Sequence, residues 1–170
     1  MHELSRTLRI PYASFYRTIQ EMTGLLIIKK VGKAKTLKLN LKSQTIHSYL
    51  TISSEQEKEE FIKNKPLIKI IEKDLDTKDI VLLFGSYAKG TETKRSDIDM
   101  IIINKKGEKS ISFSKHETLF DKEINPMFFK EKEFILMLRD KEENVGKQAL
   151  KSHVVLNNPK RFWEVVLDAI

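Results

Sequence analysis

Five apolar residues in unbroken succession, Ile80-Val81-Leu82-Leu83-Phe84, stop abruptly at Gly85-Ser86. A continuous apolar run of that length is the pattern of a strand covered on both faces. After ten intervening residues, 87–96, Asp97-Ile98-Asp99 leads into Met100-Ile101-Ile102-Ile103, a second apolar run. Two buried strands this close in sequence call for a sheet with helices packed around it, which restricts the chain to an α/β architecture.

On a strand, residues i and i+2 face the same way, so Asp97 and Asp99 share one face while Ile98 and Met100 take the other. Two carboxylates side by side at the start of a core strand repel each other and are costly to desolvate unless a cation lies between them. Mg²⁺ takes oxygen ligands in an octahedral shell completed by water and substrate phosphates, so paired aspartates beside a triphosphate suit it. Taken alone, the Asp-x-Asp pattern leaves a plainer reading open, in which Asp97 caps the strand and Asp99 sits on an exposed sheet edge. Upstream, a strand that delivers Gly85 into a helix start leaves backbone N–H groups free near a positive helix end, a place suited to phosphate. Gly85 permits close backbone approach and the Ser86 hydroxyl adds a donor. Ser96, just before Asp97, is either a further phosphate donor or a cap on the strand.

Strands are expected over Asp79–Phe84, Asp97–Ile103 and Lys122–Phe128, the last an edge strand because Pro126 lacks an N–H. Short helices are expected over Gly85–Gly90 and somewhere within 104–120, then over Lys132–Arg139, Asn144–His153 and Pro159–Leu167. Upstream, Pro66 opens an amphipathic helix with Leu67, Ile70, Ile71 and Leu75 on one side. Ser54-x-x-Glu57 is a capping-box signature for a helix starting at Ser54, after a weakly patterned connection over 43–53. The chain thus divides into an amino-terminal module, 1–48, a linker with a helix, 49–65, and a domain, 66–170. The domain's fold class is α/β (α+β), a small mixed sheet with flanking helices.

The stretch LLFGSYAKGTETKRSDIDMIII, residues 82–103, resembles the signature of the DNA polymerase β-type nucleotidyltransferase superfamily, in particular its minimal members. The similarity extends loosely to about residue 168. The resemblance implies that Gly85 and Ser86 bind the β- and γ-phosphates of ATP. It also implies that Asp97 and Asp99 hold two Mg²⁺ ions, which in such sites lie about 3.5–4 Å apart. The family usually has a third carboxylate on a later strand; Glu123, which shares a face with Asn125, takes that role here. Minimal members commonly act as antitoxins that adenylylate a partner helical toxin, so the resemblance implies a protein acceptor of that kind.

Charge separates the amino terminus from the rest. Residues 1–50 hold nine Lys/Arg against two acids, whereas residues 51–170 hold 22 of each, so the whole excess of +7 is amino-terminal. A localised basic unit on a neutral body is the electrostatic footprint of a nucleic-acid-binding module. Two short helices, Glu3–Arg9 and Tyr12–Met22, break at Ile10-Pro11. They precede a strand over Leu25–Lys30, a turn over Val31–Lys35 and a strand over Thr36–Leu41. This order resembles the second half of a winged helix-turn-helix domain, without its usual first helix. The resemblance implies a recognition helix presenting Tyr12, Ser14, Tyr16, Arg17 and Gln20 to double-stranded DNA, with Lys30, Lys33 and Lys35 in the wing on phosphate. Dimerisation or docking is the alternative use of this hairpin and helix pair. The chain has no cysteine, which excludes disulfides and thiolate chemistry and fits a reducing cytoplasm. No apolar run reaches the ~18 residues needed to span a bilayer, so no membrane association is expected.

Overall fold

The computed structural model describes residues 1–22, 24–32 and 34–170, which form two compact units, Met1–Tyr49 and Leu50–Ile170. In the first, helices α1 (His2–Thr7) and α2 (Tyr12–Glu21) flank Pro11, which cannot donate within a helix but suits its start. Phe15 and Ile19, one turn apart on α2, are its buried residues. Strands β1 (Leu26–Val31) and β2 (Ala34–Leu39) pair antiparallel from Leu26↔Leu39 to Val31↔Ala34. Both strands therefore run further into the expected 31–35 turn than their sequence pattern indicates. The Asn40 side-chain amide donates to the Gly24 carbonyl (2.8 Å), and the terminal amine donates to the Lys35 carbonyl (3.1 Å).

Helix α3 (Gln44–Lys63) carries the division between the units. It corrects two expectations, because 43–53 is not a loose connection and Ser54 does not start a helix. Ser54 lies mid-helix, only 4% exposed, where its hydroxyl accepts a hydrogen bond from Trp163 Nε1 (2.9 Å). A serine that would cap a helix in isolation is used here by a tertiary partner, and tertiary context overrides local propensity. Helix α4 (Pro66–Lys73) does begin at its proline, but its face is turned from the expected one. Ile68 and Ile71 are fully buried while Ile70 is 39% exposed.

The second unit is built on a mixed four-stranded sheet of β3 (Ile80–Phe84), β4 (Ile98–Asn104), β5 (Ile124–Lys130) and β6 (Val154–Asn157), in the order β5-β4-β3-β6. β3 pairs antiparallel with β4 and β6, and β4 pairs parallel with β5. Because side chains alternate along a strand, the apolar runs feed two cores. Val81, Leu83, Ile98, Met100 and Ile102 pack with Ile68 and Ile71 on one side. Ile80, Leu82, Phe84, Ile101 and Ile103 pack with Phe134, Phe162, Val165 and Val166 on the other. The covering helices are α5 (Gly85–Lys89), α6 (Ser114–Phe120), α7 (Glu131–Arg139), α8 (Val145–Lys151) and α9 (Pro159–Ala169). The helix expected over Asn144–His153 stops at Lys151, and Val154–Asn157 is a strand. Four residues are too few to display a period, so this strand has no signature of its own. Pro126 does sit on an edge strand, β5, where its missing N–H costs nothing. Among the described residues no helix is long and apolar enough to cross a membrane.

Continuity of α3 through Ser54 has a direct test. Proline is tolerated just after a helix start but costs about 3 kcal/mol or more in an interior. Glu55→Pro is therefore expected to lower the urea unfolding free energy by about that much, whereas a neutral substitution would put the helix start at Ser54.

Candidate active site

The β3–β4 register places Phe84 opposite Asp99, so the turn that follows β3 lies directly over the start of β4. Gly85 adopts φ +71°, and a Cβ at that position would stand 2.2 Å from Asp99 Oδ2. Only glycine tolerates both the backbone conformation and the carboxylate against it. Asp99 is half-buried. Burial pushes its carboxyl above the usual carboxylate range, the neighbouring Asp97 charge adds to that rise, and hydrogen bonding from the Asn125 side chain opposes it. Asp97 is exposed and precedes β4 by one residue. Its charge also reaches the buried Tyr87 phenol, which is pushed up by burial first and by Asp97 second. The structure thus brings Gly85, Asp97 and Asp99 together with Tyr87 and Asn125 at one end of the sheet.

The other expected site residues are placed less closely. Ser86 is half-buried at the start of α5, and its carbonyl accepts the Thr91 amide (3.0 Å). The Ser96 hydroxyl accepts the Thr93 N–H (2.9 Å) and lies 3.2 Å from Thr93 Oγ1, so it closes the 93–96 turn. Lys65 pairs with Glu92, and Lys122 donates to the carbonyls of Lys94 and Ser96, which fastens this loop to the sheet domain. Glu123 is exposed and precedes β5; its carbonyl accepts the Ile98 N–H (3.0 Å). Ile98 pairs with Ile124 and Asp99 with Asn125, so Asp97 and Glu123 each stand one residue before the paired strands. Among the described residues no three His, Cys, Asp or Glu side chains converge as a metal-binding group. Asn125 is the neighbour that sequence reasoning passed over. Its signal was the two-residue spacing from Glu123, which puts both on one strand face, but only the register decides which of them meets Asp99.

In the amino-terminal unit Ser14, Arg17, Gln20, Lys30 and Lys35 are exposed. Tyr12 and Tyr16 are half-buried and engaged within the unit. Tyr12 stacks on His2 with ring centroids 3.8 Å apart, and Tyr16 accepts a hydrogen bond from Lys35 Nζ (3.0 Å). Lys33 lies outside the described residues.

The sequence matches the family model "Polymerase beta, Nucleotidyltransferase" over residues 65–161, more than half of the chain. The chain belongs to the polymerase beta nucleotidyltransferase family. The matched span of this nucleotidyltransferase runs from the residue before α4 into α9 and includes every residue gathered around Gly85 and Asp99. The helix pair and hairpin lie outside it. A crystal structure of a toxin-antitoxin with AMP-PNP is similar at a TM-score of 0.42 and 17% identity, covering 62% of this chain and 83% of that chain. No curated protein matches the chain.

The contact between Gly85 and Asp99 generates a prediction. Gly85→Ala forces both an unfavourable φ and a collision with Asp99, so it is expected to destabilise the nucleotidyltransferase by about 1–3 kcal/mol in denaturant unfolding. The paired variant Gly85→Ala/Asp99→Gly is expected to recover part of that loss, and full additivity of the two changes would show that they do not touch.

Proposed function

We propose that the chain is a Mg²⁺-dependent nucleotidyltransferase that moves AMP from ATP onto a hydroxyl of a protein acceptor, as an antitoxin acting on a helical toxin in the cytoplasm. The observation that supports this best is the pair Asp97 and Asp99, held beside the Gly85 turn. Their mutual repulsion and the partial burial of Asp99 are the burden that a divalent cation would relieve, and their donors are the hard oxygens that Mg²⁺ prefers. Glu123, one residue before β5, is the third carboxylate of this reading, and Asn125 orients Asp99. When bound, the cation neutralises charge on the phosphates and the leaving group. Gly85 lets the triphosphate approach the backbone, and the Ser86 hydroxyl donates to it. In the transfer the acceptor oxygen bonds to the α-phosphorus and loses its proton to solvent, while the bond to the bridging oxygen breaks and pyrophosphate leaves. The protein acceptor is an analogy with minimal members of the superfamily.

Incubation with α-labelled ATP, Mg²⁺ and the co-purified partner tests this. Label is expected on the partner and is expected to fall at least about 100-fold in Asp97→Ala/Asp99→Ala, the order lost when electrostatic groups are removed from a transition state. An unlabelled partner, with ATP still bound, would favour a different reading.

That second reading is a DNA-binding regulator whose nucleotidyltransferase domain senses nucleotide or docks a partner. It is supported by the concentration of all excess positive charge in residues 1–50 and by exposed Arg17, Gln20 and Lys30. Both activities are compatible in one chain. In the full-length protein, Lys30→Ala is expected to weaken binding to every duplex sequence and reduce the salt slope by about one. Arg17→Ala is expected to cost about 1–3 kcal/mol on a preferred site and little on random DNA. An affinity insensitive to salt would leave the hairpin and helix pair as a dimerisation element.

A further inference from the structure

A polar cavity of about 320 Å³ lies in the second unit, among residues of α3, α5, α8 and α9 and the segment between α8 and β6. Its lining includes Ser53, Glu57, Ala88, Ser152, His153 and Trp163. Its place relative to the Gly85 turn follows from the register. Leu83 pairs with Val154 while Phe84 pairs with Asp99, so Ser152 and His153, just before β6, are at the same end of the sheet as Gly85 and Asp99. Ala88 stands three residues past Gly85 on α5, less than one helical turn along.

The wall chemistry is selective. Trp163 has already given its N–H to Ser54, so it offers an aromatic surface with no unmet donor. His153 Nδ1 lies 3.1 and 3.2 Å from the carbonyls of Ala149 and Leu150, contacts that require its proton there and leave Nε2 as an acceptor. Burial holds the His153 pKa below its ordinary value, which keeps the ring neutral. The Glu57 carboxylate accepts only, and among the described residues it has no ion-pair or hydrogen-bond partner. An aromatic wall with one acceptor on the half-buried His153 and another on Glu57 at the exposed rim complements a flat aromatic ring that carries N–H donors, and the volume is that of a small ligand site, about 300–1,000 Å³.

We propose that this cavity takes the purine base of the nucleotide whose phosphates lie at Gly85-Ser86. The exocyclic amine of adenine, or the N1–H and amine of guanine, meets Glu57 and the His153 Nε2, and the ring lies against Trp163. This inference rests on the nucleotidyltransferase reading above.

Trp163 is the chain's sole tryptophan, so its emission reports on this cavity directly. The full chain with Mg²⁺ is titrated with ATP, GTP, UTP and inorganic tripolyphosphate, following both tryptophan emission and the thermal midpoint. ATP or GTP is expected to change the emission and raise the midpoint, tripolyphosphate to raise the midpoint without changing the emission, and UTP to bind more weakly than the better purine. Glu57→Gln is expected to weaken the better purine nucleotide several-fold, and Ser53→Phe, which fills the cavity from α3, at least tenfold, with tripolyphosphate unaffected in both. Purine nucleotide binding that leaves Trp163 emission unchanged and is indifferent to both substitutions would overturn the base site while leaving nucleotide binding intact. Binding of neither ATP nor tripolyphosphate would overturn the nucleotidyltransferase reading and this inference with it.

Discussion

The sheet domain depends on the register of β3 with β4, which fixes the approach of Asp99 to Gly85. A half-buried carboxylate lies where any side chain on residue 85 would stand, and a second carboxylate stands two residues away. Two anions held this close, one of them partly withdrawn from water, oppose folding rather than assist it. What holds them is the cost of moving anything else. β3 and β4 are almost fully buried, and their pairing from Ile80↔Ile103 to Phe84↔Asp99 cannot slip by one residue without exchanging one strand's side chains between the two cores. The cores on the two faces therefore set the position of the carboxylates, and the local electrostatic cost is carried by hydrophobic packing elsewhere.

The same register decides the neighbours of the aspartates. Parallel pairing of β4 with β5 delivers Asn125, a neutral amide, to Asp99 and leaves Glu123 exposed, one residue before β5. An amide can donate to a carboxylate and lower its pKa without adding a third negative charge, which a glutamate in that position would do. The site is thus less anionic than three converging carboxylates would make it. The 91–96 loop that joins the Gly85 turn to Asp97 is tied down by backbone and side-chain bonds from Ser86, Thr93 and Ser96, and by the Lys65 and Lys122 ammonium groups.

The amino-terminal unit is organised differently. Its buried apolar side chains on α2 are few, and its aromatic residues are used for its own cohesion: Tyr12 on His2, and Tyr16 under Lys35, whose Nζ lies 4.8 Å from the ring centre. Polar exposed groups along α2 and the hairpin remain available, so the basic character of this unit and its internal stability draw on different residues.

Much of the domain was legible in the sequence because its signals are local and strong. An unbroken apolar run can only be a buried strand or helix segment, glycine at its end admits a positive φ, and Asp-x-Asp on a strand must share a face. Those facts located β3, β4 and the Gly85 turn, although Asp97 itself stands one residue before β4. Pro126 likewise announced an edge strand, and Pro66 a helix start, because the missing N–H acts wherever the residue stands. Other features had no local cause. Ser54 carried a capping pattern that a hydrogen bond from Trp163, 109 residues away, overrode. Val154–Asn157 was too short to show a period and became a strand only because β3 offered a free edge. Which of Ile68 and Ile70 is buried, and whether Glu123 or Asn125 meets Asp99, turned on the rotation of a helix against a sheet and on the register of two strands. Those are long-range matters, and a sequence pattern records the face a residue prefers without recording what that face will meet.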